Sequence, residues 1–113
     1  MMNWKNLEQQ EQLAEIDQLS AIKPVLIFKH STRCSTSAMV LNRLERSEIN
    51  LPTEANFYLD LIAHRDISNA IASRYGVVHE SPQALIIRNG KAVYHASHFE
   101  ISAEELGKTA SVN

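Results

Sequence analysis

Val25-Leu26-Ile27-Phe28-Lys29-His30-Ser31-Thr32-Arg33-Cys34 is the stretch on which the fold turns. Its first four residues are apolar and β-prone without alternation, the pattern of a strand covered on both faces, and they predict a central strand of a parallel sheet. Pro24 punctuates the chain just before it. The polar run from His30 to Ser37 then leaves the strand, and Ala38, Leu41 and Leu44 recur on one helical face with Arg43 and Glu45 elsewhere. A helix therefore begins close to Cys34.

Working outward, Leu13, Ile16 and Leu19, with Ala14, recur at helical spacing among Glu and Gln, which predicts an amphipathic helix within residues 7–19. Phe57, Leu59 and Leu61 alternate with Tyr58 and Asp60 as a second strand over 56–61. Asp66 is placed to cap a third helix with Ile67, Ala70, Ile71 and Tyr75 on its buried face and Gly76 as its left-handed end. After a loop over 77–81, Pro82 opens a strand at Ala84-Leu85-Ile86-Ile87, and Asn89-Gly90 signals a tight hairpin into Ala92-Val93-Tyr94. Ser102-Ala103-Glu104-Glu105 is a capping box that starts a closing helix ending near Gly107.

The order α-β-α-β-α-β-β-α demands right-handed crossovers between the helix-linked strands and one antiparallel hairpin. The expected fold is α/β, a central mixed sheet flanked by helices, in a single domain over 1–113. Ligands of such sheets gather at the carboxyl ends of the parallel strands, where the segment 30–37 emerges.

With 113 residues, 44% hydrophobic and 21% charged, the chain supports one ordinary core. Eleven Lys and Arg against thirteen Asp and Glu give a net charge of −2, which argues against nucleic acid or a membrane surface as partner. No apolar run approaches the roughly 20 residues of a membrane span. Met1-Met2-Asn3-Trp4-Lys5 leads into a Gln/Glu-rich stretch with no secretory pattern, so the expected location is the cytoplasm. Trp4, Phe28, Phe57 and Tyr58 have no basic cluster beside them and read as packing residues. His95-x-x-His98 has no acidic or thiol ligand close in sequence, so no metal site is expected, and His64 and His79 flank predicted loops without an assigned role.

Cys34 is the only cysteine, which excludes an internal disulfide and a multi-cysteine zinc site. A thiol in the first turn of a helix meets unpaired N–H groups and roughly half a positive charge, and both favour thiolate. Cysteines so placed ionise at about 3.5–7.5 rather than about 8.5. The rate gain in attack is modest because nucleophilicity falls with basicity, and the larger gain is in leaving. Ser31-Thr32-Arg33 and Ser35-Thr36-Ser37 are polar neighbours, which weighs against a structural buried thiol. A cysteine phosphatase would carry arginine six positions on, where this chain has Val40. A papain-like hydrolase has only the five histidines to draw on, in a chain short for such a cleft.

The block Ile27 to Cys34, followed by Ser81-Pro82 ahead of the hairpin strand, resembles the bacillithiol-system thioredoxin-like family, the YtxJ-like monothiol bacilliredoxins. The similarity runs from Trp4 to Lys108, and Phe-Lys-His-Ser-Thr-x-Cys is its specific part. The resemblance implies a thioredoxin fold and a monothiol thiol-disulfide oxidoreductase that removes bacillithiol from proteins through Cys34. Ser37 falls where a dithiol thioredoxin has its second cysteine, so a second small thiol or another protein must resolve the mixed disulfide. Where many relatives have proline, Ser35 keeps an N–H and a hydroxyl that can bond a thiolate.

Pro82 matches the family's cis-proline, although about 5–6% of X–Pro bonds in folded proteins are cis on statistics alone. The backbone at Ser81 would pair with an extended thiol substrate. Ser37 and the N–H groups of Ser35 and Thr36 are candidate donors to the thiolate, with Lys29, His30 and Arg33 adding positive potential. No tightly bound cofactor is implied: bacillithiol or a similar low-molecular-weight thiol is a co-substrate, and thiol-modified client proteins are the partners. Two alternatives stand beside this reading. One is a monothiol glutaredoxin-like iron–sulfur carrier, whose Gly-Phe-Ser pattern is missing after Cys34. The other is a non-catalytic thioredoxin-fold adaptor.

Overall fold

The computed structural model describes residues 2–48 and 50–111; the ends of the predicted 1–113 domain, Met1 and Val112-Asn113, lie outside the described residues. The chain runs β1 (Trp4–Asn6), α1 (Gln12–Ser20), β2 (Val25–His30), α2 (Ser35–Arg46), β3 (Ala55–Asp60), α3 (Arg65–Tyr75), β4 (Gln83–Arg88), β5 (Lys91–Ser97), a 3-10 turn (His98–Glu100) and α4 (Ala103–Ser111). The strands form a five-stranded sheet in the order β1-β3-β2-β4-β5. β1 and β2 flank β3 in parallel, while β4 pairs antiparallel with β2 and β5 antiparallel with β4.

β2 is the middle strand, and all six of its residues are buried. The pleat sends Val25 and Ile27 into a core with Leu13 and Ile16 of α1, Phe57 and Leu59 of β3, and Ile67 and Ile71 of α3. Leu26 and Phe28 enter the opposite core with Val40 and Leu44 of α2 and Leu106 and Ala110 of α4. The sheet is thus sandwiched between α1 and α3 on one face and α2 and α4 on the other, as the unalternating apolar run required.

The hairpin follows its dipeptide. Asn89 and Gly90 have φ of 52° and 74°, and positive φ at both central residues is the two-residue turn that matches strand twist. The Asn89 N–H donates to the Ser20 carbonyl at 2.9 Å and the Gly90 N–H to Ser20 Oγ at 3.0 Å, which ties the hairpin to the end of α1. Ser102 caps α4 by accepting the Glu105 N–H at 3.2 Å.

Several expectations are corrected. Residues 7–19 are not one helix: β1 precedes it, and α1 begins only at Gln12. A three-residue edge strand is too short to show periodicity. α2 buries Ser37, Val40 and Leu44 with Leu41 packed partly against the same core, so Leu41 and Leu44 face inward as expected while Ala38 is exposed. The cap of α3 is His64, not Asp66, whose carboxylate in the first turn instead accepts Gln10 Nε2 at 3.2 Å. α4 passes through Gly107 to Ser111, because burial of Leu106 and Ala110 outweighs the roughly 1 kcal/mol that glycine costs inside a helix. Ile27 is wholly buried in β2. Ile27→Ala should lower the unfolding free energy by about 2–5 kcal/mol, read from the urea midpoint.

Candidate thiol site

β2 delivers the chain to a tight turn that ends at Cys34. The Cys34 N–H donates to the Ser31 carbonyl at 3.2 Å, and the Ala38 N–H donates to the Cys34 carbonyl at 3.1 Å as the first helical bond of α2. With φ −109° and ψ 118°, Cys34 is the N-cap of α2 rather than a residue of its first turn. It is a free, half-buried thiol whose side chain makes no capping hydrogen bond. The orphan N–H groups of the first turn therefore have no side-chain oxygen from the cap, and no acidic residue stands in that turn to compete for the positive helix end. Arg43 and Arg46 complement the opposite end.

Ser37 is fully buried, and its Oγ accepts the Ser31 N–H at 3.1 Å. It also lies 2.7 Å from His30 Nδ1. A hydroxyl has one proton, so the two ring states have different consequences. With Nδ1 bare, Ser37 donates to the imidazole. With Nδ1 protonated, the imidazole donates and the hydroxyl proton is released toward the helix start. His30 sits 6.3 Å from the Phe28 ring and 5.6 Å from that of Tyr58, centroid to centroid. Burial holds its pKa below the ordinary histidine value, partly offset by the carboxylates of Asp60 and Glu45.

The Ser81-Pro82 bond is cis. Gln83 is the strand partner of Lys29, so Pro82 stands level with His30, at the end of the sheet from which the Cys34 turn departs. The Pro82 carbonyl accepts the His98 N–H at 3.0 Å. Ser81 Oγ and Gln83 Oε1 are buried without a hydrogen-bond partner among the described residues. Ser35 and Arg33 are exposed and Thr36 is half-buried.

Lys29 is placed differently from the other candidates. It is wholly buried and, by the alternation of β2, lies on the α3 side of the sheet, away from α2. Its Nζ donates to the Ser68 carbonyl at 3.2 Å and lies 3.3 Å from His79 Nδ1, to which Ser68 Oγ is also 3.2 Å away. Desolvation brings its pKa down to about 8.

Residues 5–106 match the monothiol bacilliredoxin family (BrxC). The chain belongs to that family. A thioredoxin-fold protein described as a candidate oxidoreductase is 29% identical over 94% of this chain and 92% of its own, with a TM-score of 0.75. The thioredoxins of Malassezia sympodialis and Fasciola hepatica, 12% and 16% identical, share the fold. Their TM-scores are 0.72, over 98% of this chain and 90% of that one, and 0.70, over 95% and 96%. This bacilliredoxin is therefore a redox thiol protein on a thioredoxin fold, and its family points to a low-molecular-weight thiol as partner. Among the described residues no helix is long and apolar enough to cross a membrane.

Neither the pairing of His30 with Ser37 nor the cluster of Lys29, Ser68 and His79 is visible in the sequence pattern. A signal for the second exists: a lysine that continues a strand covered on both faces has no route to solvent. Two outcomes follow for this bacilliredoxin. Ser37→Ala strips the Ser31 N–H and the His30 ring of a buried partner and should cost about 1–3 kcal/mol in urea unfolding. For Lys29, the folded value near 8 lies below the unfolded one, so the unfolded chain holds more protons between the two and stability rises with pH across that window. The urea midpoint should climb between pH 8 and about 9.5, below the tyrosine range, and this climb should be missing in Lys29→Met.

Proposed function

We propose that this bacilliredoxin reduces mixed disulfides between proteins and bacillithiol in the cytoplasm. The observation that carries the reading is a lone, half-buried cysteine capping α2 at the carboxyl end of the parallel strands, with a hydroxyl at Ser37 where a dithiol enzyme has its second sulfur. The Cys34 thiolate attacks the bacillithiol sulfur of a modified client. The client–bacillithiol S–S bond breaks, its electron pair leaves with the client as thiolate, and a Cys34–bacillithiol disulfide forms. A second bacillithiol, as thiolate, then attacks the bacillithiol sulfur of that disulfide. Cys34 departs as thiolate, and bacillithiol disulfide is the product.

Each part of the site fits one step. The N–H groups of Ser35 and Thr36 are donors for the anionic sulfur, joined by the hydroxyl of Ser37 when His30 Nδ1 carries a hydrogen, and Arg33 adds positive potential. The backbone at Ser81, beside Pro82 and level with the end of β2, offers an edge along which an extended thiol partner lies. No tightly bound cofactor takes part.

Intact mass spectrometry after incubation with oxidised bacillithiol, and separately with oxidised glutathione, tests this. The expected result is one bacillithiol adduct, lost in Cys34→Ser, and no glutathione adduct. A glutathione adduct of equal yield would overturn the choice of thiol. The lack of any adduct would overturn the redox cycle and favour an adaptor.

A further inference from the structure

Lys29 is the residue that the proposed cycle does not explain. A primary amine wholly buried on the α3 side of a sheet carries a desolvation cost, and methionine would fill much the same volume without it. The bonds of its Nζ are specific. One goes to the Ser68 carbonyl on α3, at 3.2 Å, and one to His79 Nδ1, at 3.3 Å, in the segment that leads to Ser81-Pro82. Ser68 Oγ reaches the same ring nitrogen at 3.2 Å. The rest of that segment is pinned from β4 and β5: Gln83 Nε2 donates to the Val78 carbonyl at 3.0 Å and Ser97 Oγ donates to Glu80 Oε1 at 2.6 Å. Gln83 is also the strand partner of Lys29, so the amine and the amide anchor consecutive parts of the loop from adjacent strands.

We infer that Lys29 and His79 form a positioning pair that holds residues 77–81 against α3 and so sets the backbone of Ser81 at the edge where the thiol partner of Cys34 docks. The inference rests on the cycle proposed above. Neither residue touches the reacting sulfurs. Their effect falls on how well the partner binds, not on how reactive Cys34 is.

The pairing has a built-in proton requirement. Lys29 as ammonium is a pure donor, so Nδ1 of His79 must be bare to accept from it. The groups facing His79 are the Lys29 ammonium and the Arg65 guanidinium, which oppose a proton on the ring, and the Glu80 carboxylate, which favours one. Partial burial, with Lys29 and Arg65 and against Glu80, keeps His79 below the ordinary histidine value. Once the ring does protonate, two donors face each other and the loop loses its tie to β2.

The experiment compares two reactions of the full-length protein. One is disulfide exchange with a peptide carrying bacillithiol on a central cysteine, and the other is alkylation of Cys34 by iodoacetamide, which needs no docking edge. In Lys29→Met and His79→Leu, exchange should slow by about tenfold, the equivalent of one lost hydrogen bond, through KM rather than kcat. Alkylation should stay within about twofold of wild type, at every pH, because the charge on the sulfur is unaltered. His79→Asn keeps an acceptor near the Nδ1 position and cannot titrate. On acidification KM should rise in wild type, and His79→Asn should match wild type near pH 7.5 and lack that rise.

Unchanged KM in Lys29→Met overturns the inference, as does a parallel fall of exchange and alkylation, which would place Lys29 in the electrostatics of the thiol or in the fold. Amide hydrogen exchange over 77–81 decides the positioning part separately: it should quicken in Lys29→Met with the sheet unaffected, and equal rates would overturn it. If the wild type exchanges with no disulfide, it is the proposed function that fails, and the amide measurement still judges the loop.

Discussion

The organisation of this protein depends on β2 having helices on both faces and hydrogen-bonded strands on both edges. β3 and β4 occupy its two sides in continuous register, so the backbone cannot rotate about its axis without breaking ladders on both. Alternation then fixes every side chain absolutely. Phe28 and His30 belong to α2 and α4, and Ile27 and Lys29 belong to α1 and α3. A one-residue slip would exchange a phenylalanine for an ammonium in the core beneath the thiol helix. The same constraint that makes the core makes the site: the strand ends with one polar side chain on each face, and each is used to fix a different loop.

On the α2 face the outcome is electrostatic. Cys34 is placed at the positive end of a helix whose first turn holds no carboxylate, and Ser37 and His30 form a buried polar pair below it. Ser37 already accepts from the Ser31 N–H, so its hydroxyl proton has two destinations only, the imidazole or the helix start. Whether His30 Nδ1 carries a hydrogen thereby sets how many donors the sulfur can draw on. Burial favours the neutral ring, which holds that hydrogen on either nitrogen. That leaves the backbone N–H groups, which neither titrate nor rotate, as the steady source of stabilisation.

Much of this was legible in the sequence because it obeys local rules. The unalternating run in Val25 to Phe28 gave the middle strand, the Asn89-Gly90 pair gave the turn, and Ser102 gave the start of α4. What escaped has physical reasons. β1 is three residues on an edge, held by pairing with β3 rather than by its own pattern. The inward position of Ser37 in α2 escapes because it is a polar residue buried for its hydrogen bonds, and a hydrophobic count discards it. The Lys29–His79 contact joins residues fifty apart in sequence and appears only when the order of β2, β4 and α3 is known. Local chemistry was readable, and chemistry assembled by the sheet was not.

The exchange of a second thiol for a hydroxyl at Ser37 also decides which sulfur of the capped enzyme is attacked in the proposed cycle. A dithiol enzyme delivers its own second sulfur to the first. Here no internal nucleophile exists, and the incoming thiolate chooses between Cys34 Sγ and the sulfur of the cap. Cys34 is half-buried, while the cap sulfur lies one bond further out and is easier to approach. The leaving group matters equally. Attack on the cap expels Cys34 into the waiting N–H groups of α2, whereas attack on Cys34 would expel a small thiolate into water with no such help. Access and leaving-group stability favour attack at the same sulfur, so in that cycle a single cysteine suffices to return the protein to its starting state.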